Sequence, residues 1–272
     1  FLLLLYLQFR HPLRRWVQGL RPRILINTGL AVASILVLRL VLIPAEVLSA
    51  VWAEREGFGL LNLIGIPGWL RHVIGFLFMD YMLYAWHWMN HKIPLLWRFH
   101  NVHHTDLDLG VTTAFRFHFF EMFLGTLIRA GGILVVGVPM EMVLVYEVVF
   151  QVMVAFQHSN WRLPYRLERS LVLLMITPRM HGIHHSIVER ETNSNYTNVF
   201  SFWDRLHGTI RLNVPQDEVT IGVPAYQDQQ DAALSLTGLY LLPFKKQRGD
   251  WVLKDGTKPD REYEGNIGEL QE

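Results

Sequence analysis

Two copies of an HxxHH pattern, His100, His103, His104 and His181, His184, His185, stand in a chain that also carries an HxxxH at His87 and His91. On a helix, spacings of three and four residues bring side chains to one face, and neutral imidazole is the commonest protein metal ligand. One HxxxH arises often by chance; three clusters taking eight of the 13 histidines describe a polynuclear metal site. The fold must therefore bring residues about a hundred positions apart onto one point.

Composition limits what surrounds that point. The chain is 51% hydrophobic with nine Trp and long apolar runs, which predicts an all-α integral membrane protein. It has no cysteine, so disulfides, cysteine-ligated iron-sulfur clusters, thiolate haem and Cys-type zinc sites are excluded, and any metal is held by nitrogen and oxygen. The formal net charge of +1, with no basic run interleaved with aromatics, argues against nucleic acid as a partner. The opening apolar run, Phe1 to Phe9, is too short to span a bilayer and lacks the features of a signal peptide; starting without Met, it is expected to be preceded by further residues.

Arginines set the expected topology. Arg10, Arg14, Arg15, Arg21 and Arg23 assign the start to the cytoplasmic side, and the segment from Ile24 to about Leu48 then crosses. Residues 46–71, with Glu46, Glu54, Arg55, Glu56 and several Gly and Pro, suggest an interfacial or re-entrant segment. A second crossing runs from about His72 to Met89, and Phe119 to Phe156 is long enough for a hairpin of two, turning at Gly131, Gly132, Gly137 and Pro139. The sum is about four transmembrane helices plus interfacial helices. All the clustered histidines then meet on the cytoplasmic side, under a helical cap. The metal-binding parts are about 87–118 and 158–212, within one membrane-embedded domain of 1–245. Residues 232–244 read as an interfacial helix, and 246–272 as a polar, loosely ordered C-terminal tail.

Asp80, Tyr84, His87 and His91 form one polar stripe in an otherwise apolar helix. Asp80 lies about two turns from His87, which leaves open a role behind the ligands, a proton path, or a structural pair with an arginine. His118, three residues before Glu121, and His158, in FQHSN, each sit where an apolar run meets the polar side. Either could complete a ten-histidine set, although a histidine at a helix end is commonly a cap or a hydrogen-bonded core residue. His11, His72 and His207 read as structural or surface residues. Ten imidazoles exceed one ion's shell and imply two metals with open positions; an all-nitrogen shell suits zinc, iron or copper.

The clusters, with LLWRFHNVHHTDLDLGVTTAFRFHFFE, LPYRLERSLVLLMITPRMHGIHHS, ETNSNYTN and FWDRLHGT, resemble the fatty acid hydroxylase and sterol desaturase superfamily over roughly residues 25–245, most closely its bacterial sterol desaturase members. That resemblance implies a histidine-rich di-iron centre on the cytoplasmic side of a membrane, the bacterial inner membrane here, using O2 to hydroxylate or desaturate a lipid such as a fatty acyl chain or sterol-like lipid. It implies His87, His91, His100, His103, His104, His181, His184 and His185 as ligands, joined by His118 and His158. Zinc is expected to replace iron readily in purified protein. Trp88 and His207 depart from the family's usual residues without touching a proposed ligand.

The chain has no Gly-rich flavin or nicotinamide fingerprint, so electrons for C–H oxidation must come from a separate donor, a reductase, ferredoxin or cytochrome b5-like protein. Asp80, Glu121 and Asn195 are the candidates to orient imidazoles. Lipid would enter sideways from the bilayer into a slot between apolar helices. Two other functions compete: a zinc-dependent membrane hydrolase, which needs fewer histidines, and a metal transporter, whose site belongs near the midplane.

Overall fold

The computed structural model describes residues 1–270, which are mostly helical; among them only three isolated β-bridges occur. A short helix α1 (Leu2–Arg10) precedes a long helical run made of α2 (Leu20–Val37), a π-turn over Leu38–Leu42 and α3 (Ile43–Arg55), ending at α4 (Leu60–Leu63). Then come α5 (Gly68–Lys92), α6 (Pro94–His104), α7 (Phe119–Val136) and α8 (Met140–His158). Short helices make the cap: α9 (Tyr165–Leu171), α10 (Pro178–His184), α11 (Glu189–Thr192), α12 (Phe202–Leu206) and α13 (Leu236–Leu241).

Three of these segments, Leu20–Leu63, Phe119–Val136 and Met140–His158, are long and apolar enough to cross a membrane. Their outer faces carry exposed aliphatic and aromatic side chains such as Phe123, Leu127, Val148 and Val152, as lipid contact requires. The turn between α7 and α8 forms at the later of the expected positions: Gly131 and Gly132 stay within α7, Gly137 closes it in the left-handed conformation, φ 73°, and Pro139 precedes α8. α5 spans the second expected crossing, but its polar stripe keeps it less apolar than the three. It packs against α7 and α8 through a core of Met79, Met82, Leu83, Ile133, Val143 and Tyr146.

The register of the first long run differs from the hydropathy reading. Ser34 donates to the Phe117 carbonyl at 2.7 Å, just before α7, and Gly59 lies against the Gly137 backbone at its end. Residues 34–59 therefore run the length of α7, ten residues later than expected. The reason is polar. Arg23 and Asn27 on the first turns of α2 bond Asp106, Thr112 and Thr113 in the loop that follows α6, which ties that part of the helix to the cap.

Glu46, expected near the interface, is instead buried within the bundle. Arg129 on α7 donates to it at 3.0 Å and also pairs with Glu147 on α8, so three helices share one ion cluster. Hydropathy counted these residues as polar and could not see that they neutralise one another. Asp80 makes no arginine pair; it accepts from Tyr146, Trp203 and the Phe200 amide, fastening the cap to α5 and α8.

The 232–244 segment is broken into two 3₁₀ turns around α13. It buries Leu234, Leu239 and Leu242 against Leu30, Trp97 and Val102 while Leu241 and Phe244 face outward. The C-terminal tail is held rather than loose: Arg261 pairs with Glu191 and Glu218, and the Leu212 amide donates to the Ile267 carbonyl. Replacing Arg129 by Met strands two buried carboxylates and is expected to destabilise the fold by about 3–5 kcal/mol. Adding Glu46→Gln and Glu147→Gln restores most of it; unfolding of the three purified variants in one detergent measures both.

Candidate metal centre

Four helix ends supply the imidazoles. His87 and His91 lie on the last turn and a half of α5, while His100, His103 and His104 lie on the last turn of α6. His158 is the last residue of α8, and His181, His184 and the flanking His185 come from α10, whose start is capped by Thr177. The seven-residue α10 would have no stability alone. It is held by Ile183 and Met180 in two apolar clusters of the cap, and by close packing of Arg14 over Gly182.

The nine rings form two groups. His87, His91, His100, His104 and His184 make one; His103, His158, His181 and His185 make the other, and within each the donor nitrogens lie within 4.8 Å of one another. In the second group His158 Nε2 is 3.0 Å from His103 Nε2 and 2.9 Å from His181 Nε2, and His185 Nε2 is 3.1 Å from His181 Nε2. In the first, His100 Nε2 and His104 Nε2 are 3.2 Å apart. Two nitrogens bound at about 2.0–2.1 Å to one ion, at right angles, lie about 3 Å apart. The two groups abut, with the His104 and His185 rings stacked at 4.3 Å.

The donor chemistry fits metal. His87 Nε2, His184 Nε2 and both ring nitrogens of His91 are buried without a hydrogen-bond partner. Buried unpartnered polar atoms are costly, and a bound cation would satisfy them. Burial first, and neighbouring imidazoles second, hold His103, His104, His181 and His185 well below the usual histidine range; burial pushes His184 down to about 3. At neutral pH these rings are uncharged and present lone pairs, the form a metal binds.

The second nitrogen of several rings fixes orientation. His100 Nδ1 donates to Glu121 Oε1, His87 Nδ1 to the Tyr196 carbonyl, His184 Nδ1 to the Ser194 carbonyl and His158 Nδ1 to the Val154 carbonyl, each at 2.7 Å. Such bonds select the tautomer that leaves Nε2 free. Asn195 acts one step further out. It is the only non-glycine described residue at positive φ, 52°, and its amide bonds the Met180 and Arg211 carbonyls and the Arg211 amide. That turn aims the carbonyls on either side of it at two different ligands.

His118 is not brought to either group. Its Nδ1 accepts from the Phe120 amide at 3.2 Å, capping α7, and its Nε2–H donates to the Tyr240 carbonyl at 3.3 Å. A side chain that bonds the first turn of its own helix cannot also reach across to the cluster. Asp80 likewise touches no imidazole. Sequence reasoning missed the Ser194, Tyr196 and Val154 carbonyls, which leave no side-chain signature. It also missed Phe117, stacked on His103 at 4.4 Å, and Trp97, packed on His91 at 5.0 Å.

Protein refolded or purified with excess metal is expected to hold two ions per chain. Removing His91 and His184 together leaves one, and Glu121→Ala weakens binding at the first group by about 10- to 100-fold. Elemental analysis and competition with a chelator measure these losses.

The sequence model of the fatty acid hydroxylase family matches residues 72–209. An ornithine lipid hydroxylase of Rhizobium tropici is 32% identical over 152 residues, 56% of this chain and 45% of the relative. Mouse cholesterol 25-hydroxylase is 27% identical over 172 residues, 61% of this chain and 56% of the relative. Human alkylglycerol monooxygenase is 27% identical over 154 residues, 57% and 33%. The chain thus spans about half the length of the curated relatives it matches, or less. No solved structure matches. The matched region holds all nine converging histidines and the residues that orient them, and the chain belongs to the fatty acid hydroxylase family.

Proposed function

We propose that this chain is the catalytic part of a membrane-bound lipid hydroxylase that uses O2 and two iron ions held by the nine histidines. The observation that carries the reading is a cavity that starts at both histidine groups, touching His87, His100, His103, His158 and His181, and runs between the π-turn, α5, α7 and α8. Its walls are mainly apolar, including Leu38, Leu83, Phe115, Met122 and Phe150. A metal pair at the end of an apolar slot is what oxidation of an unactivated lipid carbon requires. The family match and relatives named for hydroxylating or monooxygenating lipids support the same chemistry.

When bound, a redox-active iron pair supplies the activation of O2. The chain's own part is to position and exclude. Glu121, Gly125 and Arg129 follow one another at i, i+4 and i+8 along the cavity face of α7, so the slot extends about 12 Å from the Glu121 end at 1.5 Å per residue. Gly125 keeps it open beside Trp86: a Cβ there would already lie 3.4 Å from the indole Nε1. Lipid enters from the bilayer between these helices. α5 makes the fourth crossing, and the arginine-rich cap lies on the cytoplasmic side of the bacterial inner membrane. Electrons arrive from a separate carrier, since no other redox group is built from this sequence. His118, outside both groups, caps the helix that carries Glu121, so His118→Ala tests a role in orienting α7.

Cells expressing the protein are expected to accumulate a lipid heavier by one oxygen. Lipid mass spectrometry should lose that product with His184→Ala, while a loss of two hydrogens instead would turn the assignment to desaturation. Gly125→Leu fills the slot; it should abolish the product while elemental analysis finds the metal content unchanged.

A further inference from the structure

An aromatic pair leads away from the histidines that the cavity does not touch. Trp97, on α6, is buried and packs its indole on His91 at 5.0 Å and on His104 at 5.4 Å, both members of the five-histidine group. On its other side it stacks on Trp251 of the C-terminal tail, centroids 5.5 Å apart and planes inclined by 26°. Trp251 is only partly buried, so two rings connect the ligands to the aqueous surface.

The contacts of Trp97 suit the loss of an electron. Its Nε1–H donates to Asp250 Oδ2 at 3.0 Å, and Asn101 Nδ2 donates to the other carboxylate oxygen at 3.1 Å. One-electron oxidation makes an indole N–H far more acidic than in the neutral ring, and a carboxylate already hydrogen-bonded to it receives the proton without any atom moving far. The competing ring beside the ligands is Tyr196, 5.2 Å from His91. Its hydroxyl donates to the Asn193 amide oxygen, which is no base. Indole is readily oxidised and hardly reduced, so this pair fits the outward passage of an oxidising equivalent better than inward electron supply.

We infer that Trp97 and Trp251 form an escape relay that drains oxidising equivalents from the metal centre to the surface when no lipid occupies the slot. With iron bound and oxidised by O2, Trp97 would give it one electron and pass its own N–H proton to Asp250. Trp251 then gives an electron to Trp97, which takes its proton back from Asp250. Trp251 loses its own N–H proton to water and regains an electron and a proton from a soluble thiol, which is oxidised in turn. Without thiol, the Trp251 radical reacts with O2 and gains oxygen. Trp97 and Asn101 lie within the family-matched residues 72–209, whereas Asp250 and Trp251 lie beyond them. The inference rests on the oxygenase reading above.

The test follows residue damage rather than turnover. Lipid-free protein loaded with ferrous iron without air is mixed with aerated buffer, and oxygen addition at each tryptophan is mapped by peptide mass spectrometry. Trp251 is expected to be modified far above its zinc-loaded level and above the more exposed Trp52 (49%) and Trp69 (68%), and thiol should suppress this. Trp97→Phe should return Trp251 to the zinc level and shift oxidation onto His91 and His104. Asp250→Asn, which keeps a hydrogen-bond acceptor but no base, should lower Trp251 modification with iron content unchanged. Damage that follows surface exposure alone, or that neither variant alters, overturns the relay. Oxygen uptake by the iron form in the same mixture tests the oxygenase reading separately; its absence would bring down both.

Discussion

Nine imidazoles gathered into two groups form an arrangement that protein groups alone do not satisfy. Each ring at His87, His91 and His184 leaves a buried nitrogen without a partner, and the Nε2 atoms of the second group face one another at hydrogen-bond distance. Cations between them relieve both conditions. Much of the cap can be understood as what is needed to hold the rings in that posture. Thr177 starts α10, Asn195 turns the chain so that flanking carbonyls reach His87 and His184, and Asp204 fastens the same loop by accepting from the Tyr196 and Thr197 amides.

The bundle beneath solves a related problem with opposite means. Two of its buried polar clusters are partnered across helices: Arg129 with Glu46 and Glu147, and Asp80 with three donors from α8 and the cap. Buried ion clusters contribute little net stability, but they fix which helices meet and in what register. Arg129 does so at the far end of the cavity and Asp80 at the junction with the cap. The placing of the cavity against the histidines is thus set by polar contacts within an apolar bundle, where apolar packing alone would tolerate sliding.

Much of this was legible in the chain. The three histidine clusters identified eight of the nine converging histidines, and FQHSN pointed to the ninth, because helical spacing and helix ends decide where an imidazole can go. Glu121 was found through its place three residues after His118, and it reaches His100 instead. His118 was indistinguishable from His158 by pattern; only backbone geometry separates a ring that caps its own helix from one that ends a helix facing the cluster. The shifted first long helix and the buried Glu46 were illegible because hydropathy scores a residue without its partner, and the partner of Glu46 is 83 positions away. The tail's docking was hidden likewise, since a charged segment reads as solvated until Arg261 meets Glu191.

The two histidine groups are not equivalent in what they face. The cavity reaches His103, His158 and His181 of the four-membered group, but of the five-membered group it reaches only His87 and His100. His91 and His104 look the other way, onto Trp97. On the proposed function, lipid approaches the side that the cavity reaches, while His91 and His104 are backed by the indoles of Trp97 and Trp251. Such a division suits a reagent strong enough to attack an alkyl carbon, because the same reagent attacks its own ligands when no alkyl carbon is present. A wall of aliphatic side chains around His91 would leave that imidazole as the nearest oxidisable group, whereas an indole in van der Waals contact with it yields an electron first.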